Sequence, residues 1–287
     1  MNLKTWCFLF LLLPLAAKEV VYTYGADSVR QAGVPVGEVT RHEWKSAIYP
    51  GTLRQVYLYI PKQYDGSEEA NLAVFQDGHA HVGEEGHFRV PVVFDNLIHQ
   101  EKVPVTIAVM VNPGLYTESL EGRQGWKSKF RSHRSVEYDT PDGTYARFLE
   151  KEIIPWVAAK YRVTEDPAKR LISGTSSGGI CAFTVAWERP DLFRNVISHI
   201  GSFVNIRGGH EYPAWIRKEE KRDIRVFLQD GKADLDNEHG SWWLGNLQME
   251  AALRFKGYDF RFIAGEGGHD GKHGGTLLPE AIQWVWR

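Results

Sequence analysis

Leu171-Ile172-Ser173-Gly174-Thr175-Ser176-Ser177-Gly178-Gly179 is the stretch that decides how this 287-residue chain is read. An apolar run, Leu171–Ser173, runs into Gly-x-Ser-x-Gly and then into a helical pattern, Gly179–Trp187, that Pro190 stops. In that arrangement a strand turns sharply into a helix and the central serine, Ser176, sits exposed at the tip. Small neighbours are required because strand and helix backbones pass close together there. The amide of Ser177 then lies at a helix N-terminus, where it can donate to a developing oxyanion. The five-residue pattern alone also fits a Gly/Ser turn without chemistry. A phosphate loop does not fit, because no Gly-Lys-Ser/Thr follows. With Ser177 as the nucleophile the flanking glycines would fall at the wrong offsets.

Working outward, strand and helix signals alternate on both sides of the turn. Arg54–Ile60 is β-branched and aromatic, closed by Pro61, and predicts an antiparallel strand toward one edge. Leu72–Phe75 and Val105–Val111 are short apolar runs of the kind buried on both faces of a parallel sheet. Between them Val90–Gln100 carries a helical stripe of Val93, Phe94, Leu97 and Ile98. A second helix spans Tyr145 to Val157, with Pro155 expected to kink or restart it. Val196–Ile200, Arg225–Leu228 and Phe260–Ile263 predict further strands. Ser241–Lys256, capped by Gly257, and Leu277–Arg287 predict helices. The alternation predicts a mostly parallel central sheet with helices on both faces, in one domain covering 40–287.

Composition leaves room for that fold and little else. Hydrophobic residues make up 43% and charged residues 24%, enough for a large core and too apolar for disorder. A net charge of −2 lacks the basic excess of a nucleic-acid binder. The 10 Trp and 12 Tyr fill a core and also suit a stacking surface. At the N-terminus Lys4, the apolar Thr5–Leu13 and the small residues through Ala17 fit a cleaved signal peptide over 1–17, with an irregular lead-in over 18–39. No later apolar stretch approaches the roughly 18 residues of a membrane span. Loss of Cys7 leaves Cys181 without a disulfide partner. The expectation is an exported protein, secreted or periplasmic; the sequence does not address its oligomeric state.

A serine needs a base to take its proton and a third group to orient that base. Candidates follow two strands in the required order. Arg225–Leu228 leads to Gln229-Asp230-Gly231-Lys232-Ala233-Asp234-Leu235-Asp236-Asn237, and Phe260–Ile263 leads to Gly267-Gly268-His269-Asp270. From Ser176 to Asp234 is 58 residues, and from there to His269 another 35, room for a strand-helix unit in each gap. Asp234 lies at the loop depth an orienting acid takes. Asp230 remains an alternative as a turn cap at the strand end, and Asp236 as an N-cap before the next helix. His273 competes with His269 as base. His269, Asp270 and His273 also have a ligand spacing, but only on a helix, which Gly271, Gly274 and Gly275 argue against. Gln76-Asp77-Gly78-His79-Ala80-His81, after Leu72–Phe75, is positioned to supply a second oxyanion donor from the amide of Gly78 or His79.

Gly-Thr-Ser-Ser-Gly-Gly (174–179), Gly-Lys-Ala-Asp (231–234) and Gly-Gly-His (267–269) together resemble the Putative esterase family of α/β-hydrolases. That group contains esterase D, the enterochelin esterases, feruloyl and acetylxylan esterases and mycolyltransferase-type proteins. Phe75-Gln76-Asp77-Gly78 resembles its first oxyanion loop, and Arg134-Ser135-Val136-Glu137-Tyr138 its Arg-x-x-Glu segment. The resemblance covers roughly residues 40–287. It implies the α/β-hydrolase fold and a serine ester hydrolase, with Ser176 as nucleophile, His269 as base and Asp234 as acid. No metal or organic cofactor is needed for that chemistry. The implied substrate is a small-molecule or carbohydrate ester, enterochelin-esterase-like, with a polysaccharide-linked feruloyl or acetyl ester, or acyl transfer to a sugar, as the alternative. A non-catalytic binding module of the same fold would need no intact Ser, acid and His.

Three further features bear on substrate. Arg134 and Glu137 either pair to shape the pocket or form an ordinary solvated pair. Trp242 either stacks on substrate or packs as a helix-start core residue, as does Trp243. The basic, aromatic-interleaved loop from Arg123 to His133 either attracts an anion or is a surface segment.

Overall fold

The computed structural model describes residues 20–287, and the expected signal peptide lies outside them. After a single turn of 3₁₀ helix at Ala26–Ser28 come two antiparallel strands, β1 (Glu38–Lys45) and β2 (Thr52–Ile60), and then the buried β3 (Asn71–Gln76). Short helix α1 (Gly78–His81) and helix α2 (Val90–His99) lead to β4 (Thr106–Val111), and β5 (Leu115–Tyr116) pairs back onto β2. Helix α3 (Arg134–Tyr138) precedes a long helical run. That run comprises α4 (Thr144–Phe148), a π-helical stretch Leu149–Ile153 and α5 (Ile154–Ala158). Pro155, which has no N–H to give to a helix ladder, sits just after the π stretch that lets the helix continue past it.

Next come β6 (Arg170–Thr175), α6 (Ser177–Glu188), β7 (Asn195–His199), α7 (Tyr212–Lys218) and β8 (Arg225–Gly231). The chain closes with the small hairpin β9 (Asp236–Asn237) and β10 (Gly240–Ser241), α8 (Trp242–Lys256), β11 (Asp259–Gly265) and α9 (Lys272–Val285). The main sheet runs β1-β2-β4-β3-β6-β7-β8-β11, parallel from β4 onward. One apolar cluster fills one side, built on Phe148, Phe183, Phe203 and Tyr212; another, on Phe75, Phe94, Phe227 and Ile282, fills the other. This is an α/β-hydrolase fold. Among the described residues no helix is long and apolar enough to cross a membrane.

Three expectations change. The edge strand is β1, which starts at Glu38 inside the expected lead-in, and Arg54–Ile60 belongs to its inner neighbour. Asp236 is in a hairpin, and Ser241 caps α8 by accepting the N–H of Leu244. The last helix begins at Lys272 despite Gly274 and Gly275. A Cβ at Gly274 would lie 2.7 Å from the His199 ring, and one at Gly275 would lie 1.9 Å from the carbonyl of His87. Close approach, not flexibility, puts glycines there.

Candidate active site

Ser176 sits between β6 and α6 with φ 59° and ψ −122°, in a region L-residues avoid. The strain is held by the sheet. Ser176 N–H donates to the carbonyl of His199 at 3.0 Å, and its carbonyl receives Gly179 N–H, Ile180 N–H and Ser202 N–H. A Cβ on Gly174 would come within 2.2 Å of the Gly178 carbonyl, so only glycine lets strand and helix pass. Strands β8 and β11, parallel to β6 and beyond β7 in the sheet, end at the same sheet edge as β6, and the loops after them bring in the other two groups. Ser176 Oγ lies 2.8 Å from His269 Nε2, and His269 Nδ1 lies 2.5 Å from Asp234 Oδ1.

The competing residues have other partners. Asp230 is fully buried and accepts the N–H of Gly231, and it does not meet His269. Asp236 is exposed. His273 stacks on Tyr22 with ring centroids 4.1 Å apart and meets the Gln229 amide at 3.1 Å. His269 and His273 therefore face different neighbours, which argues against a shared metal. Gly274 and Gly275 do not prevent a helix here: His273 lies in α9, and His269 precedes it.

The oxyanion donors are only partly as expected. Ser177 N–H, in the first turn of α6, has no carbonyl to serve within the helix. The His79 amide instead donates to Asn112 Oδ1 at 2.9 Å, and the same oxygen meets His79 Nδ1 at 2.7 Å. Gly78 is pressed against β4, where a Cβ would lie 2.4 Å from the Met110 carbonyl, and is absent from the cavity wall.

Arg134 and Glu137 do not pair with each other. Glu137 is buried against Arg54, which reaches both carboxylate oxygens. Burial works against the Arg54 charge, but Glu137 outweighs it and raises its pKa. Arg134 instead grips Asp77, at the start of the oxyanion loop, through two nitrogens. Trp242 is 3% exposed and packs edge-on against the His269 ring at 5.7 Å, so it buttresses the histidine and does not line the cavity. Its Nε1 donates to Ser202 Oγ at 3.0 Å, and Ser202 Oγ lies 3.2 Å from Ser176 Oγ. Ser202 follows β7 in a loop with no motif, so no local sequence signal marks it.

A cavity of about 620 Å³ opens over Ser176 and His269. Phe88, Ile200, Trp126 and His79 are among its walls, and Arg134 lies at its edge. Trp126 is exposed, with His79 edge-on at 4.4 Å and the Arg134 guanidinium 5.4 Å from its ring.

The profile of the family described as Putative esterase matches residues 48–270. The chain belongs to that family. Among curated proteins it is similar to the uncharacterized protein YbbA of Bacillus subtilis, 22% identical over 52% of this chain and 57% of YbbA. Among solved structures it is similar to the enterochelin esterase from Shigella flexneri, at TM-score 0.69 and 19% identity. That match covers 88% of this chain and 60% of the Shigella protein. The feruloyl esterase module from Clostridium thermocellum, complexed with sinapinate, matches at TM-score 0.65 and 14% identity, covering 93% of this chain and 94% of the module. The chain thus spans about three-fifths of the length of the first two. At these identities the two structures establish a shared fold.

Proposed function

We propose that this chain is an exported serine carboxylic-ester hydrolase acting through an acyl-enzyme, with residues 40–287 as its catalytic domain. The hydrogen-bonded line Ser176–His269–Asp234 carries the reading. His269 Nε2 takes the proton from Ser176 Oγ as that oxygen attacks an ester carbonyl. Asp234 holds the imidazole by Nδ1 and stabilises its positive charge as it forms. Ser177 N–H receives the tetrahedral oxyanion, a contribution of about 2.7–4 kcal/mol per donor in comparable sites. His269 returns the proton to the leaving alcohol. Water, deprotonated by the same nitrogen, then releases the acid.

The cavity supports an aromatic acyl group as substrate. Trp126, which is exposed, and Phe88 and Ile200, which are nearly buried, line it together with Ser176. This favours an aromatic acyl ester, like the sinapinate bound by the Clostridium thermocellum module, over a short acetyl ester. The apolar Thr5–Leu13 run supports export.

The test is hydrolysis of a panel of feruloyl, catechoyl, acetyl and nitrophenyl esters, with a sugar acceptor added in a second series. Aromatic esters should be preferred, and Ser176→Ala should abolish turnover. Full activity in Ser176→Ala would overturn the mechanism, and exclusive transfer to sugar would make the chain an acyltransferase. A mature N-terminus near Lys18 on exported protein would support the leader assignment.

A further inference from the structure

Behind the orienting acid lies a second carboxyl that this mechanism does not use. Asp230 is fully buried in β8, with Oδ1 accepting the Gly231 N–H at 2.7 Å and Oδ2 2.9 Å from Asn246 Nδ2. The same Asn246 nitrogen also reaches the carbonyls of Gly201 and Trp242, so its two hydrogens are divided among three acceptors. Asp234 is satisfied on one side only. Its Oδ1 receives His269 Nδ1–H and Leu235 N–H, whereas its buried Oδ2 accepts from no donor.

The turn from Gly231 to Asp234, closed by Asp234 N–H donating to the Gly231 carbonyl at 3.1 Å, brings the unpartnered Oδ2 of Asp234 back toward the Asp230 carboxyl. Two such groups cannot both ionise in a buried site, so one keeps a proton. The surroundings decide which. Asp234 faces His269, the partner that favours a carboxylate. Asp230 faces Asp234, the neutral Asn246 amide from α8 and the Gly231 N–H, and no cation; Lys232, two residues along, turns outward to Glu266. Burial, then hydrogen bonding to Asp234, push the Asp230 pKa up to about 9. Burial acts on Asp234 too, but its bonds to His269 and Asp230 outweigh it and lower its pKa.

We propose that Asp230 is a neutral carboxylic acid whose hydroxyl donates to Oδ2 of Asp234, which makes it a positioning residue for His269. The proposal rests on the triad reading above. With the donor in place, Asp234 has both oxygens fixed and presents one of them squarely to the imidazole. Without it, a buried anionic oxygen is left unpaired, and the carboxylate turns to find another partner.

Substitution separates this role from simple packing. Asp230→Asn keeps a donor in the same place and should hold kcat within about threefold of wild type, while Asp230→Leu should lower kcat about 10–100-fold with KM little changed, as when an orienting partner is lost. The wild-type kcat/KM should fall as pH passes about 9, where Asp230 loses its proton. In Asp230→Asn that fall should vanish. Infrared spectra at neutral pH should show a protonated carboxyl stretch in wild type and in Ser176→Ala, and none in Asp230→Asn. The proposal is overturned if Asp230→Asn is as damaged as Asp230→Leu, if the alkaline fall persists in it, or if the band is missing from wild type. If Asp230→Leu does not fold, the band and the Asp230→Asn pH profile decide. Activity in Ser176→Ala would instead strike the triad reading, while the band, measured in that same inactive protein, stands apart from it.

Discussion

Arg134 and Asp77 face each other across two parallel hydrogen bonds, Nε to Oδ1 at 2.8 Å and Nη2 to Oδ2 at 2.7 Å. The cation at the edge of the cavity is therefore already matched by a carboxylate that is itself buried. Arg134 Nη2 also reaches the carbonyl of Thr175, the residue before Ser176, at 3.4 Å. One side chain thus ties the loop after β3 to the turn that carries Ser176.

Arg134 should accordingly matter for orientation and not for anion binding. Arg134→Ala is expected to lower kcat about tenfold or more, the scale seen when a supporting polar partner is lost. Arg134→Lys should rescue little, because a single ammonium cannot make the two-pronged contact. Neutral and carboxylate-bearing esters should lose rate equally. A loss confined to anionic esters, read from kcat/KM, would show that the guanidinium binds substrate.

Ser176→Ala and His269→Ala should each remove nearly all ester hydrolysis, and the double variant should be scarcely worse than either, because the residues act as one unit. Asp234→Asn should be far more damaging than Asp230→Asn or Asp236→Asn. A serine-directed organophosphonate should add one mass label, at Ser176, and exhaustive chelation should leave the rate unchanged. Rate lost to chelator and restored by zinc would assign the chemistry to a metal-bound water.

Trp242 offers a test of buttress against substrate contact. Its ring supports His269 and its Nε1 holds Ser202. Trp242→Ala should cost about 3–5 kcal/mol in unfolding free energy, as for other buried aromatic truncations. In whatever folds, kcat should drop while KM for aromatic esters stays near wild type. A rise in KM with kcat intact would return Trp242 to the substrate site.

Acid should weaken the fold through two buried histidines. Burial pushes His81 down to about 4 and His199 down to about 3, the latter helped by His81 and His273. Folded, both stay neutral; unfolded, they take up protons below about pH 6.5. The stability they confer is thus complete above pH 6.5 and is lost as pH falls toward 4 and 3, by up to about 1.4 kcal/mol per unit for each. His199 is fully buried, and Phe88 and Phe227 pack beside it. His199→Phe should therefore gain on wild type in Tm as pH drops from 7 to 5. Parallel Tm curves for the two proteins would refute this.

The sequence made some of this legible and hid the rest for identifiable reasons. Ser176, Asp234 and His269 could be picked out because each follows an apolar strand, and strand ends converge on one edge of a parallel sheet. The strand β1 was not visible, since Glu38-Val39-Thr40-Arg41-His42-Glu43-Trp44-Lys45 lies at an edge and keeps charges on its open side. The start of α9 was masked by glycines whose purpose is contact with His199 and His87. The partners of Arg134 and Glu137 could not be inferred from their spacing of three. Asp77, just after β3, and Arg54, within β2, reach them from distant parts of the chain. The commitment of the His79 amide to Asn112 is equally non-local.

Tyr22 gives the molecule a schedule. Its hydroxyl accepts the N–H groups of Glu266 and Gly267, 244 and 245 residues further along, and its ring covers His273. The loop that carries His269 is thus clasped by nearly the first described residues of the chain. The clasp joins the two ends of the described chain, and it can close only after β11 has been made. Along the chain the Ser176 turn, between β6 and α6, comes well before the loop that Tyr22 holds.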